Sequence, residues 1–94
     1  MSVAMLFEIA GFAWKLLELY HGSRFSVTSW FRTLEHNAEV GGSPSSLHLC
    51  GLAVDVIPAG GVSRESLFAG AVGLGLHGVV ESDHVHLQAR PVKS

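Results

Sequence analysis

The segment that decides the fold of this chain reads SLHLCGLAVD and spans residues 46–55. Its second half begins an almost uninterrupted apolar run that ends at Pro58, which is typical of a central β-strand. Asp55 interrupts this run, and a buried carboxylate is costly unless it is paired or binds a metal. Gly51 allows the chain to turn before the strand, which can bring His48 beside Asp55. The segment therefore predicts a strand that carries a polar site.

A second polar segment, DHVH, follows at residues 83–86. Its two histidines stand two positions apart, so they share one face if the segment is a strand. Pairing with the strand at Asp55 would gather three or four metal-binding side chains on one face of a sheet. Zinc binds imidazole nitrogen and carboxylate oxygen, and a catalytic zinc takes three protein ligands and keeps one position open. The two segments together predict a zinc site that includes His48, Asp55 and one histidine of the pair.

Each of these residues also has a purely structural interpretation. A histidine beside an apolar strand, such as His48, can be a hydrogen-bonded core residue. Asp55 can be a structural carboxylate that pairs with Arg32 or Arg90. Because an H-x-H pair occurs by chance on many strands, only the joint occurrence of suitable ligands favours a metal.

The hydrophobic pattern around these segments predicts one small α+β domain over residues 1–94. A first helix over 3–20 is expected to bury one apolar stripe, and Trp14 is expected in the core. A second, short helix is expected from the N-cap Ser63 to about Val72. The predicted buried stripe consists of Leu6, Ile9, Ala10, Ala13, Leu16, Leu17 and Tyr20. The pattern predicts a loop at 34–46 and a mostly antiparallel sheet with strands at 25–29, 52–57, 76–80 and 84–90.

Composition argues against several classes of function. The chain has 94 residues, a formal net charge of −2 and few, scattered Lys and Arg residues, which argues against nucleic acid or an anionic membrane as partner. The single Cys50 cannot form an internal disulfide. The apolar start has no basic n-region and is interrupted by Glu8, Lys15 and Glu18, so it predicts neither a signal peptide nor a membrane span. We expect a monomer.

Several motifs of the chain resemble one known family. The central segment fits S-x-H-x-x-G-x-A-x-D, Ser29 and Arg32 fit an upstream S-x-x-R, and DHVH fits a closing segment. An N…G-G loop motif is matched by Asn37, Gly41, Gly42 and the following Ser43. From about Phe25 to Arg90, the chain resembles the zinc D-alanyl-D-alanine metallopeptidases. These include D-Ala-D-Ala carboxypeptidases and phage L-alanyl-D-glutamate endolysins, and they are structurally related to lysostaphin-type enzymes and the hedgehog domain.

This resemblance implies a hedgehog/D-Ala-D-Ala-peptidase-like fold and a zinc peptidase. His48, Asp55 and His86 would bind Zn²⁺, and water would hold the fourth position. The implied activity is hydrolysis of a peptide bond in the stem peptide of peptidoglycan, by a carboxypeptidase or an endolysin-type endopeptidase. The alternative is a non-catalytic, zinc-stabilised binding module of the same architecture. The missing signal peptide fits a phage protein that is cytoplasmic until release, or virion-associated, and that acts on the bacterial cell wall.

The resemblance also implies roles in acid–base chemistry. Asp83, three residues before the last ligand, would be the general base. Glu81 would hold the same spacing if His84 rather than His86 were the ligand. With His86 as ligand, His84 would line the site and contact the substrate or the developing oxyanion.

Three further residues are candidates for substrate binding. By the resemblance, Arg32 would bind the substrate carbonyl or stabilise its oxyanion, and Ser46 would orient the substrate or a ligand. Arg32 also has a simpler interpretation as half of a salt bridge. Trp30 stands near Arg32 in the sequence and can either wall a substrate cleft or pack in the core.

Overall fold

A computed structural model describes residues 2–32, 34–39, 41 and 47–92 of the chain. In chain order the elements are α1 (Val3–Gly22), β1 (Phe25–Ser29), α2 (Leu34–Glu39), a 3₁₀ turn (Leu47–Cys50), β2 (Ala53–Pro58), α3 (Arg64–Gly73), β3 (His77–Val80) and β4 (Val85–Gln88). The protein is a small α+β structure with an N-terminal helix and a four-stranded sheet, as the sequence predicts. No helix in these described ranges is both long and apolar enough to cross a bilayer.

The strands form one antiparallel sheet in the order β1-β2-β4-β3. Successive side chains of a strand point to opposite faces, and across the β2–β4 ladder Asp55 pairs with His86 while Val54 pairs with Leu87. Val54 and Leu87 are fully buried, on the core face of the sheet. Asp55 and His86 lie on the opposite face, the site face, where both are only partly buried. The register therefore places a carboxylate and an imidazole side by side.

Helices α1 and α3 cover the core face of the sheet. Each begins at a serine N-cap, a residue type whose hydroxyl can accept from an otherwise unpaired backbone N–H. The Ser2 hydroxyl accepts from the N–H of Met5 at 3.1 Å, and the predicted N-cap Ser63 accepts from Ser66 at 3.0 Å. The core that the helices form with the sheet contains Phe12, Leu16, Leu19, Val54, Val56, Leu67, Ala71, Leu76, Val85 and Leu87.

The face of α1 that packs on the sheet differs from the predicted one. The buried residues of this helix are Phe12, Leu16 and Leu19. The predicted positions that are exposed instead are Leu6, Ala10, Leu17 and Tyr20. Trp14, which was expected in the core, is 63% exposed. Apolar residues surround much of this helix, so a 3.6-residue period fits more than one stripe and does not decide which one is buried.

The stretch predicted as a loop contains a helix. Residues Leu34–Glu39 form α2, so the prediction of a loop is wrong there. Gly41 lies in a turn with a φ of +71°, and positions 40 and 42–46 lie outside the described residues. The side-chain oxygen of Asn37 in α2 accepts a hydrogen bond from Arg32 Nη1 at 3.1 Å. Hydrophobic periodicity does not report a polar contact of this kind.

Gly78 is required by the close approach of β3 to β4. It pairs with Leu87 across the ladder, and a Cβ at this position would overlap the carbonyl oxygen of His86. A larger side chain therefore has to push β3 away from the strand that carries His86.

We expect Gly78→Ala to lower the free energy of unfolding by about 1–3 kcal/mol, the usual cost of overpacking. Gly73→Ala is the matched control, because a Cβ on this α3 residue meets no atom within 4 Å. Alanine favours a helix over glycine by roughly 0.5–1 kcal/mol, so the control should be at least as stable as the parent. Urea unfolding followed by circular dichroism measures both. Equal stability of the two variants would contradict the close strand spacing.

Candidate metal centre

Three side chains from separate segments meet on the site face. They are His48 from the 3₁₀ turn, Asp55 from β2 and His86 from β4, and their possible ligand atoms all lie within 4.8 Å of one another. Asp55 Oδ1 lies 3.4 Å from His48 Nε2 and 3.0 Å from His86 Nδ1. The structure thus brings together the three residues that the sequence assigns to a metal.

His48 is held by the turn that precedes β2. Gly51 has a φ of +75°, which favours glycine, and the chain turns there as the sequence predicts. His48 is 2% exposed, and its Nδ1 lies 3.0 Å from the carbonyl oxygen of Trp30. Because a carbonyl oxygen only accepts, Nδ1 carries a proton and Nε2 is the nitrogen that faces Asp55. Trp30 Nε1 donates to the carbonyl of Gly51 at 2.9 Å, which ties the two segments together.

His86 is held by a residue that the sequence analysis did not identify. Its Nε2 lies 2.7 Å from Oε1 of Gln88. The Gln88 amide nitrogen donates to the carbonyls of Arg90 and Pro91 at 2.8 and 3.2 Å. Gln88 stands two positions after His86 in β4, so the two side chains share a face. That spacing is the signal in the sequence that could have identified Gln88.

Asp55 contacts a guanidinium through its second oxygen. Asp55 Oδ2 lies 3.4 Å from Arg32 Nη2, and the Arg32 side chain is only 10% exposed. Arg90, the other partner that the sequence offers, pairs with Glu8 at 2.8 Å instead. The carboxylate of Asp55 therefore directs one oxygen to the imidazoles and the other to Arg32.

The ionisation of the site follows from these contacts. Burial would raise the pKa of Asp55, but hydrogen bonds with His48 and His86 outweigh burial and hold this pKa well below its ordinary value. The hydrogen bond with Asp55 raises the pKa of His86 above its ordinary value, against the opposing effect of burial. Without a metal, imidazole protons stabilise the ionised carboxylate.

The donor set of the cluster fits a zinc ion. Each imidazole has an acceptor behind it, the Trp30 carbonyl for His48 and the Gln88 amide oxygen for His86. Such outer partners fix a ring so that its inner nitrogen can act as a ligand. Two imidazole nitrogens and one carboxylate oxygen are a zinc-binding set that leaves a fourth position open. Because these ligands bind metal in their deprotonated forms, protons and metal compete for the same atoms.

Of the residues predicted to act in acid–base chemistry, His84 approaches the cluster directly and Asp83 contacts His84. His84 Nε2 is 3.7 Å from Asp55 Oδ1, and His84 Nδ1 is 2.7 Å from Asp83 Oδ1. The hydrogen bond with His84 lowers the pKa of Asp83, whose side chain is 84% exposed. The side chain of Glu81 is exposed, and its charge contributes to the raised pKa of His86. The backbone N–H of Glu81 donates to the carbonyl of His84 at 2.9 Å. Asp83 contacts a residue of the site face through its side chain.

The residues predicted to bind substrate are placed less directly. The Trp30 ring is half-buried, stacked on Phe31 at a centroid distance of 5.9 Å and edge-on to Phe12 at 6.2 Å. Arg32 reaches the cluster through Asp55. Ser46 lies outside the described residues.

Comparison with known proteins places these residues in a family. The family model for Peptidase M15 matches residues 7–88, a region that includes all four strands and the His48–Asp55–His86 cluster. Comparison with curated proteins and with solved structures gives no significant match. Because the family match covers most of the chain, the chain belongs to the peptidase M15 family.

Proposed function

We propose that this protein is a zinc metallopeptidase that hydrolyses a peptide bond in the stem peptides of peptidoglycan. The observation that carries the proposal is the convergence of His48, Asp55 and His86 in a chain of the peptidase M15 family. The proposal includes a single catalytic domain over residues 1–94 and a hedgehog/D-Ala-D-Ala-peptidase-like fold. Its place of action is the bacterial cell wall, reached after release from the cytoplasm or as part of a virion.

The cluster would hold the metal through His48 Nε2, Asp55 Oδ1 and His86 Nδ1. When bound, zinc supplies a Lewis acid and lowers the pKa of a coordinated water from about 15.7 to about 7. Arg32 keeps Oδ1 of Asp55 turned toward the imidazoles, because it holds the other carboxylate oxygen. The antiparallel pairing of Asp55 with His86 fixes their spacing through the backbone.

Asp83 is proposed as the general base. An aspartate is ionised at neutral pH, so Asp83 can take a proton from the attacking water and deliver it to the leaving amine. A carboxylate in this role contributes about 10²–10⁴-fold to the rate. His84 donates from Nδ1 to the Asp83 carboxylate, presents Nε2 toward Asp55 and is proposed to contact the developing oxyanion. Glu81 is the less favoured base because its side chain makes no such contact in the described structure.

The surroundings of the cluster favour an extended peptide as substrate. Val79 lies opposite His86 on the site face, and Ile57 shares that face two positions after Asp55 in β2. They are 38% and 45% exposed, so they offer apolar surface to a peptide. The connections from β2 through β4 are short, which leaves little chain to close the groove at the C-terminal end of a substrate. This favours an endolysin-type endopeptidase over a carboxypeptidase. Ser46 and Trp30 are kept as proposed substrate contacts, and Arg32 is proposed to act mainly through Asp55.

Zinc-loaded protein is expected to release new amine ends from purified peptidoglycan, and a chelator is expected to prevent this. Asp83→Asn should lower the rate by at least about 100-fold, because it removes the proton acceptor. Its bound zinc should stay at one per chain, because the ligands are unchanged. Glu81→Gln is the matched control and should retain most of the activity. Mass spectrometry of the fragments identifies the bond that is cut, and elemental analysis gives the zinc content.

Failure to release amine ends from several peptidoglycan types by zinc-loaded protein would contradict the proposed activity. The non-catalytic binding module predicts another pattern. In that case Asp83→Asn and Glu81→Gln both bind peptidoglycan as the parent does, and His48→Ala unfolds the domain.

A further inference from the structure

We propose that Gln88 is a positioning residue that selects the nitrogen of His86 presented to the metal. This inference rests on the metal-binding part of the proposed function and not on the identity of the substrate. Gln88 Oε1 lies 2.7 Å from His86 Nε2, on the side of the ring away from Asp55 Oδ1, which is 3.0 Å from Nδ1.

The orientation of the Gln88 amide follows from its other contacts. Its nitrogen donates to two backbone carbonyls, those of Arg90 and Pro91. A carbonyl oxygen cannot donate, so the amide cannot turn its oxygen toward them without losing both hydrogen bonds. The oxygen must therefore face His86, and His86 must donate to it from Nε2.

This arrangement has a direct consequence for metal binding. Without a metal, both ring nitrogens of His86 face acceptors, Gln88 Oε1 at Nε2 and Asp55 Oδ1 at Nδ1. When a metal takes the place of the proton on Nδ1, the hydrogen bond to Gln88 keeps the remaining proton on Nε2, so that Nδ1 is the ligand atom. Removing an outer partner of this kind typically weakens metal binding by about 10–100-fold.

Gln88→Leu is the decisive variant, because leucine is of similar size and has no acceptor. We expect it to bind zinc about 10–100-fold more weakly in competition with a chromophoric chelator. Gln88→Glu keeps an acceptor oxygen beside Nε2 but loses both hydrogen bonds to the backbone carbonyls, so its zinc affinity should lie between those of Gln88→Leu and the parent. Circular dichroism and thermal unfolding of the zinc-free variants check that both are folded.

Long-range ¹H–¹⁵N spectra of the zinc-loaded proteins provide a readout that does not depend on turnover. In the parent, His86 should bind zinc through Nδ1 and carry its proton on Nε2, and in Gln88→Leu part of the population should bind through Nε2 instead. Zinc affinity and tautomer unchanged in Gln88→Leu would overturn the role of Gln88, as would a Gln88→Glu variant as weak as Gln88→Leu. Since neither measurement uses peptidoglycan, an inactive parent leaves this test intact.

A second inference comes from the face of α1 that points away from the core. Along this face, Val3, Phe7, Ala10, Trp14 and Leu17 follow one another at alternating intervals of four and three residues. We call these five residues the outer stripe. Val3, Phe7, Trp14 and Leu17 are 69%, 71%, 63% and 46% exposed. This spacing is the seam of paired helices, and a helix that is apolar on two opposite faces is normally covered on both.

We infer that a second copy of this chain covers the outer stripe through an antiparallel pairing of the two α1 helices. About a two-fold axis level with Phe12, Ala10 lies opposite Trp14 of the second copy, and Phe7 lies opposite Leu17. A small residue thus receives the largest one, and the same contact occurs twice, as two-fold symmetry requires. Gly11, where a Cβ would meet no atom within 4 Å, lies close to the axis and allows the helices to approach.

The charges of α1 are compatible with this pairing. Glu18 would lie beside the first turn of the second helix, where unpaired N–H groups favour a negative charge. Glu8 is directed away from the outer stripe, because it pairs with Arg90 of its own chain at 2.8 Å.

The exposed area of the outer stripe indicates a weak dimer. Aromatic side chains bury about 150–250 Å² each, so Phe7 and Trp14 at their observed exposure offer roughly 250 Å² per copy. With the aliphatic residues, two copies would bury on the order of 1,000 Å² in total, the lower limit for a specific interface. We therefore expect a dissociation constant in the micromolar range, in contrast to the monomer that the sequence predicts.

Sedimentation velocity over about 5–500 µM tests the pairing. The parent should convert from monomer to dimer, and Trp14→Glu should stay monomeric at every concentration with zinc binding unchanged. Val72→Glu is the matched control, since Val72 is an apolar residue of α3 that is 52% exposed outside the outer stripe, and it should dimerise as the parent does.

Ala10→Trp separates the specific pairing from general apolar association. It enlarges the apolar surface but would clash with Trp14 of the second copy, so it should weaken the dimer by at least about tenfold. A parent that stays monomeric at the highest concentration, or an Ala10→Trp variant that associates more strongly, would overturn the pairing. Binding of a monomeric parent to lipid vesicles would overturn it in favour of a membrane surface.

Discussion

The central constraint in this structure is the ionised carboxylate of Asp55 on a partly buried sheet face. A charge in that position must be compensated by groups of opposite charge or by hydrogen-bond donors. Here these groups come from three segments other than the strand of Asp55. The imidazoles of His48 and His86 approach one oxygen, and the guanidinium of Arg32 approaches the other. The 3₁₀ turn, β4 and the segment after β1 therefore converge on one residue of β2. This explains why a chain of 94 residues with no disulfide can present a defined polar cluster.

The partners of Asp55 are themselves held by a second layer of contacts. The carbonyl of Trp30 orients His48, the amide of Gln88 orients His86, and Asn37 in α2 holds Arg32. Imidazole rings held in this way do not need to reorient when a metal ion takes the place of the protons between them and Asp55. The same contacts that neutralise Asp55 without a metal thus prepare the ligands for one. The contacts that the fold needs to stabilise the Asp55 carboxylate are therefore the same contacts that the proposed metal site requires.

Sequence reasoning was most successful where the relevant contacts are local or strictly periodic. The strands could be predicted because side chains alternate with a period of two, and Asp55 was conspicuous because it breaks an apolar run. The turn at Gly51 could be predicted because it needs a conformation that glycine favours. The resemblance to zinc D-alanyl-D-alanine metallopeptidases was confirmed by the family match. Each motif that carries it is a short stretch that can be read directly from the sequence.

The features that sequence reasoning missed depend on packing between distant residues. The buried face of α1 could not be decided from a helix with apolar residues on opposite sides. Helix α2 was missed because the glycines, serines and proline that follow it dominate the pattern of the stretch. Gln88 was missed because a glutamine in a strand has no distinctive sequence pattern. Its role depends on the backbone carbonyls of Arg90 and Pro91, which fix the orientation of its amide.

X-ray absorption spectroscopy of the zinc-loaded protein tests directly whether His48, Asp55 and His86 hold the metal. We expect one zinc per chain with two imidazole nitrogens at about 2.0–2.1 Å, and oxygen ligands from Asp55 and solvent at about 2.0–2.2 Å. Sulfur scattering at about 2.3 Å would instead make Cys50 a ligand and contradict this assignment. A shell without imidazole scattering would contradict it as well, because His48 and His86 would then not hold the metal.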